Sequence, residues 1–118
     1  MILLIADDHA EMRRTIRSVV EDLASTIFEC ADGAAAVAAY RECRPDWVLM
    51  DMQMPHLDGF QATRAITREW PAARICVVSN FDDEDLRQSA RAAGAHAYVH
   101  KGALLELRSI LRPLPPPD

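Results

Sequence analysis

The chain has 118 residues, half of them apolar, which is enough for one compact hydrophobic core and too few for two domains. Its formal net charge is −5 at pH 7 and it contains no basic run, which argues against a nucleic-acid-binding surface within these residues. The apolar N-terminal segment Met1–Ala6 is followed at once by Asp7 and Asp8, and it is too short for a signal peptide or a membrane span. We therefore expect a cytoplasmic domain that does not contact a membrane.

Three cysteines are scattered along the chain, at Cys30, Cys43 and Cys76. Their odd number and the lack of C-x-x-C spacing predict neither a disulfide framework nor a zinc site. We interpret them as reduced, buried thiols without a redox role.

The first third of the chain predicts two units of a strand followed by a helix. Ile2–Ala6 is apolar without polar alternation, as a strand buried on both faces of a sheet would be. Apolar residues then recur at helical spacing, at Met12, Ile16, Val19 or Val20, and Leu23. Ile27–Cys30 is a weaker strand candidate, and the alanine-rich segment Gly33–Cys43 predicts a second helix that ends before Pro45.

Two further units follow in the middle of the chain. Trp47–Met50 is another buried strand candidate, and the helix after it is predicted over Gly59–Trp70, which precedes a proline. Ile75–Val78 is a third strand of the same buried type. The short helix after it is predicted from its capping residues, Asp82 or Asp83 at the start and Gly94 at the end.

A fifth unit completes the domain, which we place at residues 1–112. Ala97–His100 is a weak strand candidate, and the last helix is predicted to begin near Ala103, with an apolar face of Leu104, Leu107 and Leu111. The proline-rich residues 113–118 cannot continue a helix and predict an extended tail or linker. Five such units predict a doubly wound α/β fold, because parallel strands need right-handed crossovers that place helices on the faces of the sheet.

Polar residues follow four of the five predicted strands. In chain order they are Asp7, Asp8, Asp51, Ser79 and Lys101. Ligands of doubly wound sheets bind beyond the carboxyl ends of the strands, so we expect these side chains to converge on one site. Glu29 and Asp32 lie near the end of the second strand, which is predicted at the edge of the sheet and farther from that site.

Carboxylates crowded within about 4–6 Å repel each other by a few kcal/mol per pair at an effective dielectric constant near 20. Mg²⁺ is the usual cation that offsets such repulsion, because it binds one or two carboxylates and a phosphate oxygen. A carboxylate can attack a phosphoryl group when the charge on the phosphoryl oxygens is neutralised. The sequence therefore predicts Asp51 as a nucleophile, with Mg²⁺, Ser79 and Lys101 supplying that neutralisation.

Four segments resemble the signature blocks of response regulator receiver domains. They are Leu3–His9, Met50–Gly59, Val77–Ser79 and Tyr98–Lys101, and the resemblance extends from Met1 to about Leu111. It implies a flavodoxin-like, chemotaxis-regulator-like fold with a five-stranded parallel sheet in the order 2-1-3-4-5. It also implies a phosphoacceptor for a histidine kinase or phosphotransfer protein, a switch and not a turnover enzyme.

The resemblance assigns roles to single residues. It implies that Asp51 is the phosphoacceptor and that Ser79 and Lys101 contact the phosphoryl oxygens. Tyr98 falls at the position of the switch aromatic, which couples to Ser79. The implied Mg²⁺ ligands are Asp8 directly, Asp7 through water, Asp51, and Gln53 through its backbone carbonyl.

Three positions set this chain apart from many receivers. Gly102 follows Lys101 where proline with a cis bond is common, and a cis bond before a residue other than proline costs about 2.5–4 kcal/mol, so we do not expect one. A residue other than proline after this lysine resembles the receivers of DNA-binding regulators with a helix-turn-helix output. Gln53 and Phe81 are predicted to tune the phosphoryl lifetime, since Phe81 cannot orient a water.

Partners and output are expectations from the resemblance. The fourth helix, fifth strand and fifth helix would form the face for an effector protein or a homodimer. The chain is interpreted either as a complete single-domain regulator or as a receiver whose C-terminal output domain is missing, the second being preferred.

Two alternative functions stay open. A haloacid-dehalogenase-type phosphatase also uses an aspartate nucleophile and Mg²⁺, but it needs a second aspartate where this chain has Gln53. A degenerate receiver could serve as an interaction scaffold. The histidines match no metal-ligand spacing and are interpreted as non-functional, at His9, His56, His96 and His100. Trp47 and Trp70 are interpreted as packing residues.

Overall fold

A computed structural model of the protein describes residues 1–112, and the predicted tail at 113–118 lies outside the described residues. Its five parallel strands form one sheet in the order β2-β1-β3-β4-β5. The strands are β1 Ile2–Ala6, β2 Thr26–Cys30, β3 Trp47–Asp51, β4 Ile75–Ser79 and β5 Ala97–His100. The helices are α1 Ala10–Val20, α2 Gly33–Cys43, α3 Gly59–Glu69, α4 Glu84–Ala93 and α5 Glu106–Leu111. The doubly wound prediction and its strand order are confirmed.

Alternate residues of the central strands fill two separate halves of the core. Leu4 and Val48 point to the face covered by α2 and α3, where Ile66 packs on them. Leu3 and Leu49 point to the opposite face, covered by α1 and α5. All of these side chains are essentially inaccessible to solvent. Burial on both faces explains why the strands read as unbroken apolar runs.

The helix ends follow local capping chemistry. Asp58 and Gln61 form a reciprocal capping box at the start of α3. Of the two candidates for the start of α4, Asp83 is the cap, since its carboxylate accepts from the backbone of Asp85 and Leu86. The helix ends at Gly94 with a φ of 111°, as predicted.

Three predicted helix bounds were wrong. Helix α1 ends at Val20, and Leu23 lies in a following 3-10 turn. Helix α3 ends at Glu69 because Trp70, which precedes a proline, has left the helical region. Helix α5 begins at Glu106 and not near Ala103, because a 3-10 turn capped by the His100 side chain follows β5.

The cysteine prediction was partly wrong. Only Cys76 is fully buried among the three, while Cys30 on the edge strand β2 and Cys43 at the end of α2 are half-buried. All three are free thiols. Burial raises the pKa of the Cys76 thiol to about 12 and that of Cys30 to about 11. Thiols with a raised pKa are poor nucleophiles, which agrees with the interpretation of Cys30 and Cys76 as thiols without a redox role.

The tryptophans lie at the rim of the core. Trp70 packs at 5.0 Å between ring centroids against Tyr40, and the Arg44 guanidinium lies 4.6 Å from its ring. The Arg74 guanidinium lies 5.5 Å from the centroid of the Trp47 ring, and the Trp47 and His96 ring centroids are 6.3 Å apart in a T-shaped arrangement. No helix within residues 1–112 has the length and apolar character needed to cross a membrane.

Candidate functional site

Three strand ends bring one lysine and two aspartates into contact. Asp7 directly follows β1, Asp51 ends β3 and Lys101 follows β5. The Lys101 Nζ lies 3.1 Å from Asp51 Oδ1 and 3.2 Å from Asp7 Oδ2. The exposed fraction of the side chain is 7% for Lys101, 5% for Asp51 and 1% for Asp7. Three of the five residues predicted to converge, Asp7, Asp51 and Lys101, are therefore in contact at the carboxyl edge of the sheet.

A group of metal-ligand atoms surrounds this contact. One ligand atom from each of Asp7, Asp8, His9 and Asp51 lies within 4.8 Å of the others. The Oδ2 atom of Asp51 is buried and has no hydrogen-bond partner among residues 1–112. The Oδ2 atom of Asp7 is also buried, with the Lys101 ammonium as its neighbour. A buried carboxylate oxygen that lacks a donor, as Asp51 Oδ2 does, fits a hard divalent cation with oxygen ligands.

The charges of the site are unequal. Burial, followed by the negative charge of Asp7, raises the pKa of Asp51, and contact with Lys101 opposes this only in part. Burial would lower the pKa of Lys101, but Asp51 and Asp7 together raise it. Lys101 is therefore a fixed cation that supplies one positive charge against the carboxylates of Asp7, Asp8 and Asp51. A divalent cation would supply the additional positive charge that the lysine does not.

Ser79 and Tyr98 both bind the backbone of Phe81. Ser79 ends β4 and is 1% exposed; its Oγ accepts from the Phe81 amide at 3.0 Å and lies 3.9 Å from Met52 Sδ. The Tyr98 hydroxyl donates to the Phe81 carbonyl at 2.8 Å. The Arg87 guanidinium lies 4.8 Å from the Tyr98 ring. A displacement of the Ser79 hydroxyl would therefore act on a residue that also holds Tyr98.

Gly59 contributes to the site in a way that the sequence did not reveal. A Cβ atom at Gly59 would lie 2.0 Å from the Asp51 carbonyl oxygen, so the start of α3 rests directly on the backbone that carries Asp51. The Gly59 amide donates to the Met52 carbonyl at 2.9 Å. The sequence indicated only that Gly59 belongs to the Met50–Gly59 segment and begins a helix.

The loop between β3 and α3 is tightly turned. His56 has a φ of 69°, and the Leu57 amide donates to the Pro55 carbonyl at 2.8 Å across it. Gln53 is exposed in this loop. The role of its carbonyl as a metal ligand stays a prediction, as does the lifetime role of Gln53 and of Phe81, whose side chain is 48% exposed.

Other polar residues near the strand ends have structural partners. Glu29 pairs with Arg13 at 3.0 Å and Arg17 at 2.8 Å, and Asp32 caps α2. The peptide bond between Lys101 and Gly102 is trans, since the described part of the chain contains no cis bond. The sequence predicts no function for His9, yet its Nδ1 lies 3.0 Å from Asp8 Oδ1.

The model of the family described as the response regulator receiver domain matches residues 3–112. The chain belongs to this family. It is therefore a receiver domain of a response regulator of two-component signalling, as the four sequence segments implied.

Individual relatives agree. This receiver domain is 36% identical over 103 residues to the uncharacterized transcriptional regulatory protein YhcZ of Bacillus subtilis, a match that covers 86% of this chain and 48% of that protein. It is 34% identical to the chemotaxis protein CheY of Halobacterium salinarum, covering 84% and 82% of the two chains. The crystal structure of a LuxR-family two-component response regulator from Aurantimonas sp. SI85-9A1 superimposes with a TM-score of 0.83 at 32% identity, covering 93% and 84%.

The lengths of the relatives differ. The receiver domain spans about half the length of YhcZ and of the regulator GacA of Pseudomonas aeruginosa. In contrast, it covers most of the CheY chain from Halobacterium salinarum.

Proposed function

We propose that this receiver domain accepts a phosphoryl group on Asp51 from a histidine kinase or phosphotransfer protein in a Mg²⁺-dependent reaction. The observation that carries the proposal is the environment of Asp51, a buried carboxylate 3.1 Å from the Lys101 ammonium and beside the oxygens of Asp7 and Asp8. A structural aspartate would have its lone pairs satisfied, whereas Asp51 Oδ2 has no partner within the described residues.

The chemistry follows from the positions of these groups. An oxygen of Asp51 attacks phosphorus, a new O–P bond forms, and the P–N bond to the donor histidine breaks as its electron pair returns to the imidazole. The Lys101 ammonium and the Ser79 hydroxyl stabilise the negative charge on the phosphoryl oxygens. Mg²⁺ supplies further positive charge when bound, held by Asp7, Asp8, Asp51 and the Gln53 carbonyl.

The output of the reaction is a changed surface. When Ser79 turns its hydroxyl toward a phosphoryl oxygen, it gives up its contact with the Phe81 amide, to which Tyr98 is joined through the Phe81 carbonyl. Two-state elements respond to such a local charge change by a shift of population. We infer that the face formed by α4, β5 and α5 then binds an effector protein, an output domain or a second copy of the chain.

The longer relatives make an output domain the favoured partner. YhcZ is described as a transcriptional regulatory protein, and the receiver corresponds to about half of it. We therefore infer an output domain beyond these residues. A helix-turn-helix domain is one form that it could take. The cytoplasmic location stays a prediction.

The proposal is tested by incubating the protein with Mg²⁺ and radiolabelled acetyl phosphate. We expect one phosphate per chain, stable in acid and labile in base, which is absent in Asp51→Asn and retained in Asp22→Asn. Asp22 is a suitable control because it is an exposed carboxylate paired with Arg108 away from the site. Repeated turnover on phosphate esters would favour the phosphatase, and no labelling at all would favour the scaffold.

A further inference from the structure

His9 joins the carboxylate group through its side chain. It lies between β1 and α1, and its Nδ1 is 3.0 Å from Asp8 Oδ1 and 3.4 Å from Asp7 Oδ1. Its backbone amide donates to Asp7 Oδ1 at 2.8 Å, which fixes the Cα atom of His9 beside the acids. The imidazole is 72% exposed, so it can turn without disturbing the core.

The helix does not need this side chain. His9 is the N-cap residue of α1, a position where a side chain usually accepts a hydrogen bond from the helix backbone. Its imidazole makes no such bond. Its contacts with the two carboxylates are therefore the feature that requires an explanation.

An independent observation shows that the group is directed at a ligand. Asp51 is more than nine-tenths buried, and its buried Oδ2 has no hydrogen-bond partner among the described residues. A bound ion would satisfy this oxygen. Divalent ions of this size bind ligands at about 2.1 Å, so neighbouring ligands lie about 3 Å apart and opposite ones about 4.2 Å apart. The contacts of 3.0 and 3.4 Å between His9 Nδ1 and the Oδ1 atoms of Asp8 and Asp7 match neighbouring positions, and the ligand atoms of all four residues lie within 4.8 Å of one another.

Imidazole nitrogen alters which ions such a site prefers. Mg²⁺ binds oxygen ligands and keeps several waters, whereas first-row transition ions accept imidazole together with carboxylates. We propose that His9 Nδ1 is an additional ligand of this site and shifts its preference from Mg²⁺ toward first-row transition ions such as Mn²⁺. This deepens the proposed function and rests on it, since the ion occupies the same site.

Ligation fixes the tautomer of the imidazole. The neutral ring carries a single proton on either Nδ1 or Nε2. Ligation through Nδ1 requires the tautomer with the proton on Nε2, which leaves the Nδ1 electron pair for the ion.

Electron spin echo measurements on the full chain with bound Mn²⁺ test the proposal. We expect coupling of the Mn²⁺ electron spin to one histidine nitrogen, which changes to a ¹⁵N signal when histidine alone is ¹⁵N-labelled. The coupling should be lost in His9→Phe and retained in His96→Phe, since His96 packs on Trp47. The ratio of Mn²⁺ to Mg²⁺ affinity should fall about tenfold in His9→Phe alone.

Two results would overturn the role of His9. One is bound Mn²⁺ without nitrogen coupling in the wild-type protein, and the other is the same affinity ratio in the wild type and His9→Phe. The proposed function fails by a different result, namely absence of Asp51 phosphorylation in wild-type protein supplied with Mg²⁺ and acetyl phosphate. The two failures are thus distinguishable.

Discussion

Asp51 is buried beside Asp7. Two neighbouring buried carboxylates lower the stability of the fold unless a bound ligand offsets their charge. Its pKa is raised first by burial and then by Asp7, so the folded protein holds the Asp51 proton more tightly than the unfolded chain does. Stability therefore falls as the pH rises from the ordinary aspartate pKa through the raised one. The fold tolerates this loss at the position where we propose a reactive carboxylate.

Asp51→Asn should stabilise the ion-free protein. The amide keeps the shape of the side chain and removes the destabilising charge, so the free energy of unfolding at pH 7 should rise by about 1 kcal/mol. The gain should shrink as the pH is lowered toward the ordinary aspartate pKa. Urea titrations in EDTA at several pH values measure it, and a lower stability of Asp51→Asn at pH 7 would contradict the account.

Lys101→Met should have the opposite effect. The substitution leaves Asp7 and Asp51 buried without their cation, which costs about 3 kcal/mol at pH 7. Because acid neutralises the stranded carboxylates, the difference from the wild type should narrow at about pH 4.5. Thermal unfolding at both pH values checks this. A difference that is independent of pH would show that Lys101 stabilises through packing of its alkyl chain.

Phe81 is the residue through which lifetime should be adjusted. Its side chain offers no group that orients a water toward an acyl phosphate, so a carboxylate there should accelerate hydrolysis. We expect Phe81→Glu to shorten the phosphoryl lifetime by at least about tenfold. The decay of ³²P label on the two proteins decides this, with Phe81→Leu as the control. Equal lifetimes of Phe81→Glu and the wild type would refute the lifetime role.

At the scale of the elements, the contact of α3 with β3 positions Asp51, the proposed phosphoacceptor. Gly59→Ala would put a Cβ atom 2.0 Å from the Asp51 carbonyl oxygen, and neither backbone can yield cheaply. We expect a loss of about 2 kcal/mol and slower phosphorylation. Gly102→Ala is the comparison variant and should cost less, since its Cβ would meet a side chain, the His100 ring at 2.9 Å, and not a backbone atom. Wild-type stability in Gly59→Ala would contradict the proposed contact.

The strands β1, β3 and β4 were predictable because burial on both faces makes them almost wholly apolar. Ile2–Ala6 matches the sequence prediction residue for residue. The start of α5 was not predictable, since the His100 ring caps a 3-10 turn that apolar periodicity does not reveal. The half-exposure of Cys30 follows from the position of β2 at the sheet edge, a consequence of packing that composition does not report.

The site was predictable to the extent that topology determines it. Parallel strands end at one edge, so Asp7, Asp51 and Lys101 had to meet there. The approach of Gly59 and the position of His9 depend on turn geometry and side-chain direction, which neither periodicity nor motif spacing encodes. For these two residues, three-dimensional coordinates were necessary.

At the scale of the whole molecule, one polar edge of the sheet is joined to one surface. The carboxylates lie at the ends of β1 and β3, and Tyr98 lies on β5 beside α4. Ser79, at the end of β4, and Tyr98 both bind the backbone of Phe81, through hydrogen bonds of 3.0 and 2.8 Å. Under the proposed function, phosphorylation of Asp51 would act on the partner surface through these contacts.

The most direct test of the account is the chemical identification of the phosphorylated residue. After reaction with acetyl phosphate and Mg²⁺, borohydride reduction converts an aspartyl phosphate to homoserine, and peptide mass spectrometry locates it. The account predicts homoserine at position 51 alone, only when both Mg²⁺ and the phosphodonor are present. Homoserine at Asp7 or Asp8, or phosphate on a residue other than aspartate, would contradict it.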